Sequence, residues 1–319
     1  MQGHVSGIIG RVTSLQIPHS DLKTSRLAYG CMRIAGTWNP AEITADRREQ
    51  AYQALLAAYE SGYTLFDHAD IYCRGGCESL HGELMKQVPS MRDEIVIATK
   101  CGVRFKDDPA GSVGKYDFSY EHIVGACERS LARLGIETID IYQLHRPDVL
   151  MDPGEVARAF EKLHSDGKVR FFGVSNFTPS YVSTLQQALP FKLVVNQVEI
   201  SLLHRDCFFD GTLDQCLREQ VMPLSWSPLA GGRLSDISET DDEKLLALFD
   251  EMDAVAAIYG FDRSTLALAW LLKHPSGIVP IVGSRDPAKI KWATQAAEVE
   301  LSREDWYRLL VAAQGHPMA

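Results

Sequence analysis

The sequence predicts an α/β protein folded as a single (β/α)8 TIM barrel, with an N-terminal β-hairpin and extra helices near the C-terminus. Counting from Leu27, eight short apolar segments alternate with segments of helical periodicity. Eight such units in roughly 290 residues are typical of one barrel rather than of two doubly wound domains. No Pro/Gly/Ser-rich linker interrupts them, so residues 1–319 are expected to form one domain. No G-x-G-x-x-G follows a strand, which argues against a Rossmann site.

The predicted elements follow one another in a regular order. A strand pair is expected at 12–31 around a polar turn at 19–22, and a polar, glycine-bearing loop at 102–118. Short apolar runs predict the barrel strands after the first, R-L-A-Y-G-C, at 64–67, 94–100, 138–145, 169–174, 193–198, 222–227 and 278–283. Helical spacing predicts helices at 46–60, 78–87, 120–134, 153–164, 178–189, 213–220, 243–259, 265–273, 287–297 and 302–313.

Composition limits the classes of function. Hydrophobic residues make up 45% and charged residues 23% of the chain, as in an ordinary soluble globular protein. The formal net charge of -10 argues against nucleic acid as a partner, because phosphate binding needs a basic surface. No apolar run approaches the length of a membrane span.

The N-terminus and the cysteines indicate a cytoplasmic protein. The first eleven residues lack the order of charged, apolar and small residues that marks a signal peptide. Seven scattered cysteines, an odd number, suit reduced thiols. Cys73 and Cys77 are the closest pair, but no second Cys/His pair at zinc-finger spacing accompanies them, so no metal site is expected.

Polar residues gather at the predicted strand ends. The stretch T-L-F-D-H-A-D-I-Y (64–72) is apolar up to Asp67 and reaches Tyr72 five residues later. In a barrel the carboxyl ends of all strands share one rim, where functional residues collect. The other predicted ends carry Lys100, His145, Ser175, Asn176, Gln197, Trp226, Ser227, Gly283 and Ser284. Asp, Lys, His and a nearby Tyr on one rim are a candidate proton-handling group.

A set of motifs, each weak alone, resembles the aldo-keto reductase superfamily over nearly the whole chain. It includes F-D-H-A-D-I-Y (66–72), I-A-T-K-C-G (97–102), D-I-Y-Q-L-H-R-P-D (140–148), G-K-V-R-F-F-G-V-S-N-F (167–177), N-Q-V-E-I-S (196–201), W-S-P-L-A-G-G (226–232) and I-V-G-S-R (281–285). The chain is most similar to the bacterial oxidoreductases of the D-H-A-D-I-Y type.

The resemblance implies a reaction and four catalytic residues. Members of the family transfer a hydride from a nicotinamide to a carbonyl carbon while a tyrosine protonates the oxygen. The matching positions are Tyr72 as the acid, Lys100 and Asp67 as its partners, and His145 as the group that orients the carbonyl. A lysine cation beside Tyr72 is expected to lower the pKa of the phenol, and a neutral His145 to donate a hydrogen bond to the developing alkoxide.

The resemblance also implies cofactor contacts. Ser175, Asn176 and Gln197 would bind the nicotinamide carboxamide, and Trp226 would stack on the ring where many relatives carry tyrosine. Ser227, Leu229 and Gly231 would line the pyrophosphate loop. Ser284, Arg285 and Lys289 offer a hydroxyl and two cations to a 2′-phosphate, so NADP(H) is favoured over NAD(H). Gly283 stands where many relatives carry lysine, which weakens that preference.

The substrate is expected to be a small carbonyl compound. Tyr29, Met32, Trp38, Arg146 and the 103–118 loop are candidates for the pocket lining. His68 alternates away from the rim and is interpreted as structural.

Two other interpretations stay open. Some relatives serve as nucleotide-sensing regulatory subunits on the same barrel. An aldolase that uses Lys100 as a Schiff base would need this lysine free of Asp67.

Overall fold

The computed structural model describes residues 14–235 and 240–318. The N-terminal stretch examined for a signal peptide, and residues 12 and 13 of the expected strand pair, lie outside these ranges.

A closed barrel of eight parallel strands confirms the predicted fold class. A two-stranded antiparallel hairpin, β1 (Leu15–Gln16) and β2 (Lys23–Thr24), precedes it. The barrel strands, in chain order, are β3 (Ala28–Gly30), β4 (Leu65–Asp67), β5 (Val96–Cys101), β8 (Ile139–Leu144), β9 (Val169–Ser175), β10 (Val195–Glu199), β11 (Met222–Trp226) and β12 (Val279–Val282). The remaining strands, β6 (Val103–Arg104) and β7 (Lys115–Tyr116), form a second hairpin.

Helices surround the barrel. They are α1 (Ala45–Glu60), α2 (Gly76–Gln87), α3 (Met91–Glu94), α4 (Tyr120–Leu134), α5 (Pro153–Ser165), α6 (Pro179–Ala188), α7 (Thr212–Glu219), α8 (Glu243–Tyr259), α9 (Arg263–Leu272), α10 (Pro287–Ala293) and α11 (Arg303–Gln314). Side-chain caps fix several starts: Asp152 accepts from two backbone N–H groups at the start of α5, and Ser302 accepts from Asp305 N at the start of α11.

The period of two along each strand decides which side chains enter the barrel. Ala28, Leu65 and Val96 pack together inside, and Ile17 and Leu22 of the first hairpin belong to the same cluster. Residues one position away, such as Tyr29 and Phe66, pack against the helices instead. Continuing the inward alternation from the interior cluster to the strand ends brings Asp67, Lys100 and His145 to one side of the barrel.

The barrel walls approach closely at Gly173 on β9. A β-carbon at this position would collide with Val195 Cγ2 and come within 2.9 Å of the Val195 backbone oxygen. Only glycine therefore allows this spacing between β9 and β10.

The structure differs from the sequence predictions at short elements. The 102–118 loop contains the β6–β7 hairpin, and the first barrel strand ends at Gly30, where a 3-10 turn (Cys31–Arg33) begins. The helix predicted at 287–297 changes to a 3-10 helix at Thr294–Glu298. Two-residue strands and single turns are too short to show a periodic pattern, so the sequence does not reveal them.

Within the described ranges, no single helix is long and apolar enough to cross a membrane. Helices α8 and α9 reach that length and apolarity when they are taken together, but they meet at a bend of 83°.

Candidate active site

A buried cluster of Asp67, Lys100 and Tyr72 lies at the carboxyl ends of β4 and β5. Lys100 Nζ donates to Asp67 Oδ1 at 2.7 Å, to the His68 backbone oxygen at 2.7 Å and to Tyr72 Oη at 3.3 Å. All three ammonium donors therefore have an acceptor. The side chains of Lys100 and Asp67 are 1% and 3% exposed, so the ion pair is shielded from water. This geometry holds the ammonium against the phenol oxygen.

The pKa of Tyr72 moves in the direction opposite to the sequence prediction. Burial, followed by the charge of Asp67, raises the pKa of the phenol well above its ordinary value, and Arg146 offsets this only in part. The expected lowering by Lys100 is wrong because the ammonium is already paired with Asp67 and the phenol has lost its solvation. Tyr72 therefore keeps its proton at neutral pH.

His145 follows β8 and faces the phenol. Its ring meets that of Tyr72 edge-on, with 6.0 Å between the centroids. Burial, helped by the positive charges of Lys100 and Arg146, lowers the pKa of the imidazole well below its ordinary value. The ring is therefore neutral at physiological pH, with one N–H to donate and one lone pair to accept.

A chain of hydrogen bonds joins the ends of β9 and β11. Trp226 Nε1 donates to Asn176 Oδ1 at 3.0 Å. The amide of Asn176 donates to Ser175 Oγ at 2.8 Å and to the His145 backbone oxygen at 3.1 Å. The polar groups predicted to meet a carboxamide are thus already ordered against one another and against the backbone of His145.

Gln197 retains a free acceptor in this region. Its Nε2 donates to Asp67 Oδ2 at 3.2 Å, while its Oε1 is buried without a hydrogen-bond partner. A buried acceptor left unpaired is costly, so it favours a ligand that brings an N–H group. A nicotinamide carboxamide supplies such a donor, and the half-buried Trp226 offers a ring beside it. The residues therefore fit this part of a nicotinamide cofactor.

The loop after β11 turns sharply at the positions predicted for the pyrophosphate. Ser227, Ala230 and Gly231 have positive φ angles of 50°, 50° and 72°. Ala230 N donates to the Ser227 oxygen, which closes the turn. Leu229 is half-buried and Gly231 is exposed.

The loop after β12 and the start of α10 carry the four residues predicted for the 2′-phosphate region. Gly283 is exposed, and a β-carbon there would meet no atom within 4 Å. Ser284 is half-buried, whereas Arg285 and Lys289 are exposed. The guanidinium of Arg285 lies against Gly36, where any β-carbon would collide with it. The cation therefore spans the loops that follow the first and last barrel strands.

The structure corrects one predicted pocket residue. Tyr29 is 0% exposed; its ring packs edge-on against Tyr63 and Phe66, and its hydroxyl donates to the Ser284 backbone oxygen at 2.9 Å. It occupies the outward position of β3 and cannot line an open pocket. Its neighbour Gly30 has the inward position.

The other predicted pocket residues are accessible. Met32 and Trp38, on the loop after β3, are 39% and 58% exposed. Arg146 is half-buried, with its guanidinium carbon 5.4 Å from the centre of the Trp226 ring.

A buried group behind the site escaped the sequence analysis. His68 Nε2 and His81 Nδ1 are 2.8 Å apart, and Cys31 lies with them in a cluster of potential metal ligands. Two nitrogens bound to one tetrahedral zinc would be about 3.3 Å apart, given Zn–N distances near 2.0–2.1 Å. The shorter spacing describes a hydrogen-bonded histidine pair. His68 lies away from the rim, which agrees with its interpretation as a structural residue. No local pattern in the sequence indicates that His81, on α2, is its partner.

The aldolase interpretation does not agree with the geometry. Lys100 is buried and paired with Asp67 at 2.7 Å. A Schiff-base lysine must present a free amine to solvent and substrate, which this contact prevents.

Comparisons with known proteins agree with the fold. The Aldo/keto reductase family model matches residues 26–311. A 6-dehydroglucose reductase from Novosphingobium aromaticivorans is 40% identical over 306 residues, covering 94% of this chain and 95% of the relative. Oxidoreductase YdhF from Escherichia coli is 41% identical over 284 residues, covering 89% and 93%.

Solved structures show the same architecture. The glycerol dehydrogenase AKR11B4 from Gluconobacter oxydans superposes with a TM-score of 0.84 at 26% identity, covering 97% of this chain and 98% of that one. The aldo-keto reductase AKR11C1 from Bacillus halodurans, in its holo form, gives a TM-score of 0.81 at 25% identity, covering 96% and 98%.

Proposed function

The chain belongs to the aldo/keto reductase family of oxidoreductases, and from this premise we propose that it is an NADP(H)-dependent enzyme that reduces aldehydes or ketones to alcohols, with Tyr72 as the proton donor. The observation that carries the proposal is the buried contact of Tyr72 Oη with Lys100 Nζ, itself held by Asp67. Such a cluster suits proton transfer.

The residues of the site have different roles in the reduction of the carbonyl. His145 and Tyr72 both direct polar groups toward the position of the substrate oxygen, which orients the carbonyl and polarises it. A reduced nicotinamide, when bound, would supply the hydride. As charge develops on the oxygen, Tyr72 gives up its proton, because an alkoxide is a much stronger base than a phenolate. Lys100 then stabilises the phenolate that remains.

The nicotinamide would be held by the residues at the ends of β9, β10 and β11. Gln197 Oε1 would accept from the carboxamide, and the ordered Ser175 and Asn176 would position it beside the Trp226 ring. Ser227, Leu229 and Gly231 would line the pyrophosphate.

Preference for NADP(H) would come from the loop after β12. Arg285 lies on this loop, after Ser284, and Lys289 lies on the following helix, α10. Both are exposed cations. Replacing Arg285 by alanine should weaken NADPH binding about tenfold or more, because charge-assisted hydrogen bonds to phosphate contribute about 1.5–3 kcal/mol. NADH affinity should change little. Equal affinity of the wild-type protein for NADPH and NADH in a fluorescence titration would contradict this assignment.

A regulatory subunit that senses nucleotide is the second candidate. The decisive experiment is oxidation of NADPH by the purified protein with a panel of aldehydes and ketones, including the 6-dehydroglucose named for two relatives. Turnover supports the enzyme. Tight NADPH binding without turnover on any member of the panel would favour the regulatory role instead.

A cytoplasmic location is part of the proposal. All seven cysteines are described, free and buried, which suits a reducing compartment. Fractionation of cells that express the protein with its native N-terminus would test it, and recovery in an exported fraction would contradict it.

A further inference from the structure

Arg146 carries a positive charge that the catalytic cluster does not need. Asp67 and Lys100 neutralise each other within the cluster, and His145 is neutral at physiological pH. Arg146 follows His145 directly, and its charge acts on both the Tyr72 phenol and the His145 imidazole. The side chain is therefore close to the place where a substrate oxygen would sit, and it adds a positive charge there.

The guanidinium of Arg146 has no acidic partner among residues 14–235 and 240–318. The side chain lies over the face of the Trp226 ring, with the guanidinium carbon 5.4 Å from the ring centre. The nearest carboxylate along the chain, Asp148, uses its two oxygens to accept from the backbone N–H groups of Phe118 and Leu150. The N–H donors of Arg146 therefore have no carboxylate to bind among the described residues.

Other partly buried arginines show how this chain normally satisfies a guanidinium. Arg133 binds the buried carboxylate of Glu78 at 2.6 Å, and Arg170 binds Asp140 at 2.9 Å. Arg263 lies over the Phe249 ring, as Arg146 lies over Trp226, but it also forms an ion pair with Asp253. Arg146 lacks such a carboxylate among the described residues; Arg74 and Arg303 also stack on rings without one, but they are exposed, whereas Arg146 is half-buried.

We infer that Arg146 binds an anionic oxygen group of the carbonyl substrate, such as a carboxylate, so that the enzyme prefers oxo acids and aldehyde acids to neutral carbonyl compounds of the same size. The planar guanidinium matches a carboxylate through two parallel hydrogen bonds. The contact would place the anion at the guanidinium while Tyr72 and His145 hold the carbonyl. This inference depends on the proposed carbonyl reduction and adds the class of substrate.

The test compares matched substrates. Wild-type kcat/KM is measured for meta- and para-carboxybenzaldehyde against their methyl esters, and for succinic semialdehyde against butanal. The acid should be preferred in at least one pair by about 10- to 100-fold, the range of a hydrogen-bonded charge contact. Equal values within each pair, or a consistent preference for the neutral member, would overturn the inference.

Variants assign the preference to Arg146. In Arg146→Gln the ratio of kcat/KM for acid over neutral partner should fall about tenfold or more, mainly through KM, and Arg146→Lys should restore part of it. Arg303→Gln is the matched control, because it removes one arginine that also stacks on a ring, Tyr307 at 5.3 Å, on the distant helix α11. An unchanged ratio in Arg146→Gln would overturn the assignment.

The outcomes separate the two proposals. Failure of the carbonyl-reductase proposal means no turnover with any aldehyde. Failure of the anion inference means turnover without a charge preference. If Arg146→Gln does not fold, as judged by its melting curve, the wild-type substrate pairs and Arg146→Lys still decide.

Discussion

A charged side chain in the barrel interior depends on its oppositely charged partner to remain stable there. The Lys100–Asp67 pair is almost fully shielded from water. Desolvation of two such ions is expensive, and their attraction offsets it only while both are present. The pair is therefore a point where one atomic change should affect both stability and activity.

Asp67→Asn leaves the Lys100 ammonium buried without a counter-charge. The free energy of unfolding should fall by about 3–5 kcal/mol, the range for breaking a buried pair from one side. Urea unfolding measures it. Asp166→Asn is the control, because its ion pairs with Lys162 and Lys168 lie at an exposed surface and should contribute little to stability. Equal losses in the two variants would show that burial of the Lys100 pair has no special cost.

The residue scale also marks the limit of sequence reasoning. The identity and inward position of Asp67, Lys100 and His145 follow from the motif order and strand alternation. The direction of the Tyr72 pKa does not, because desolvation depends on atoms from several strands and loops that become neighbours only in the fold.

At the scale of elements, β4 and α2 are joined by the His68–His81 pair. Both rings are fully buried, and burial lowers their pKa values: that of His81 to about 3 and that of His68 well below its ordinary range. Each histidine takes up a proton near its ordinary pKa only when the chain unfolds. Stability should therefore be complete above about pH 6.5 and decrease as the pH falls toward the folded pKa.

A nearby acid, Asp70, changes stability with pH in the opposite direction to the two histidines. Burial raises the pKa of Asp70 to about 7, so Asp70 gains stability as the pH falls from 7 toward 3.8 and partly opposes the histidines. Each histidine should lower the free energy of unfolding by about 1.4 kcal/mol for each pH unit below 6.5. The pKa of the buried His145 is lowered as well, so the histidines together should outweigh Asp70 and the net stability should decrease with acid.

His81→Gln tests this assignment. Urea midpoints between pH 8 and pH 4.5 should decrease less steeply in this variant than in the wild type, because one buried histidine no longer resists protonation. The exposed His316→Gln variant should keep the wild-type slope. Parallel slopes in all three proteins would contradict the role of the pair.

Elements of different length were predictable to different degrees. Eight strands and most helices follow from runs of four or more patterned residues. Alternation along β3 also would have excluded Tyr29 from the pocket, since inward Ala28 and Gly30 flank it. The β6–β7 hairpin and the His68–His81 contact depend on pairing between distant residues, which no local pattern records.

At the scale of the whole molecule, the site exists only because the barrel closes. Its residues come from the ends of six strands, and the β9–β10 junction brings Ser175 and Gln197 side by side. Gly173 permits that junction by its close approach to Val195.

Gly173→Ala should therefore disturb the barrel. Overpacking at this position is expected to cost about 1–3 kcal/mol of unfolding free energy and to reduce NADPH affinity by displacing Ser175 and Gln197. Gly125→Ala is the comparison, because Gly125 lies within α4 beside the flexible end of Arg129; it should be neutral or gain up to about 1 kcal/mol. A Gly173→Ala protein as stable as wild type would contradict the packing argument.

The central claim, that Tyr72 donates the proton in carbonyl reduction, is tested most directly by Tyr72→Phe. The phenylalanine keeps the buried ring and removes only the hydroxyl that contacts Lys100. Aldehyde-dependent oxidation of NADPH should fall by about 10²–10⁴-fold, the usual contribution of a general acid, while NADPH affinity stays close to that of wild type. The Tyr181→Phe variant, on helix α6 outside the proposed site, should keep full activity. Turnover by Tyr72→Phe at the wild-type rate would contradict the account.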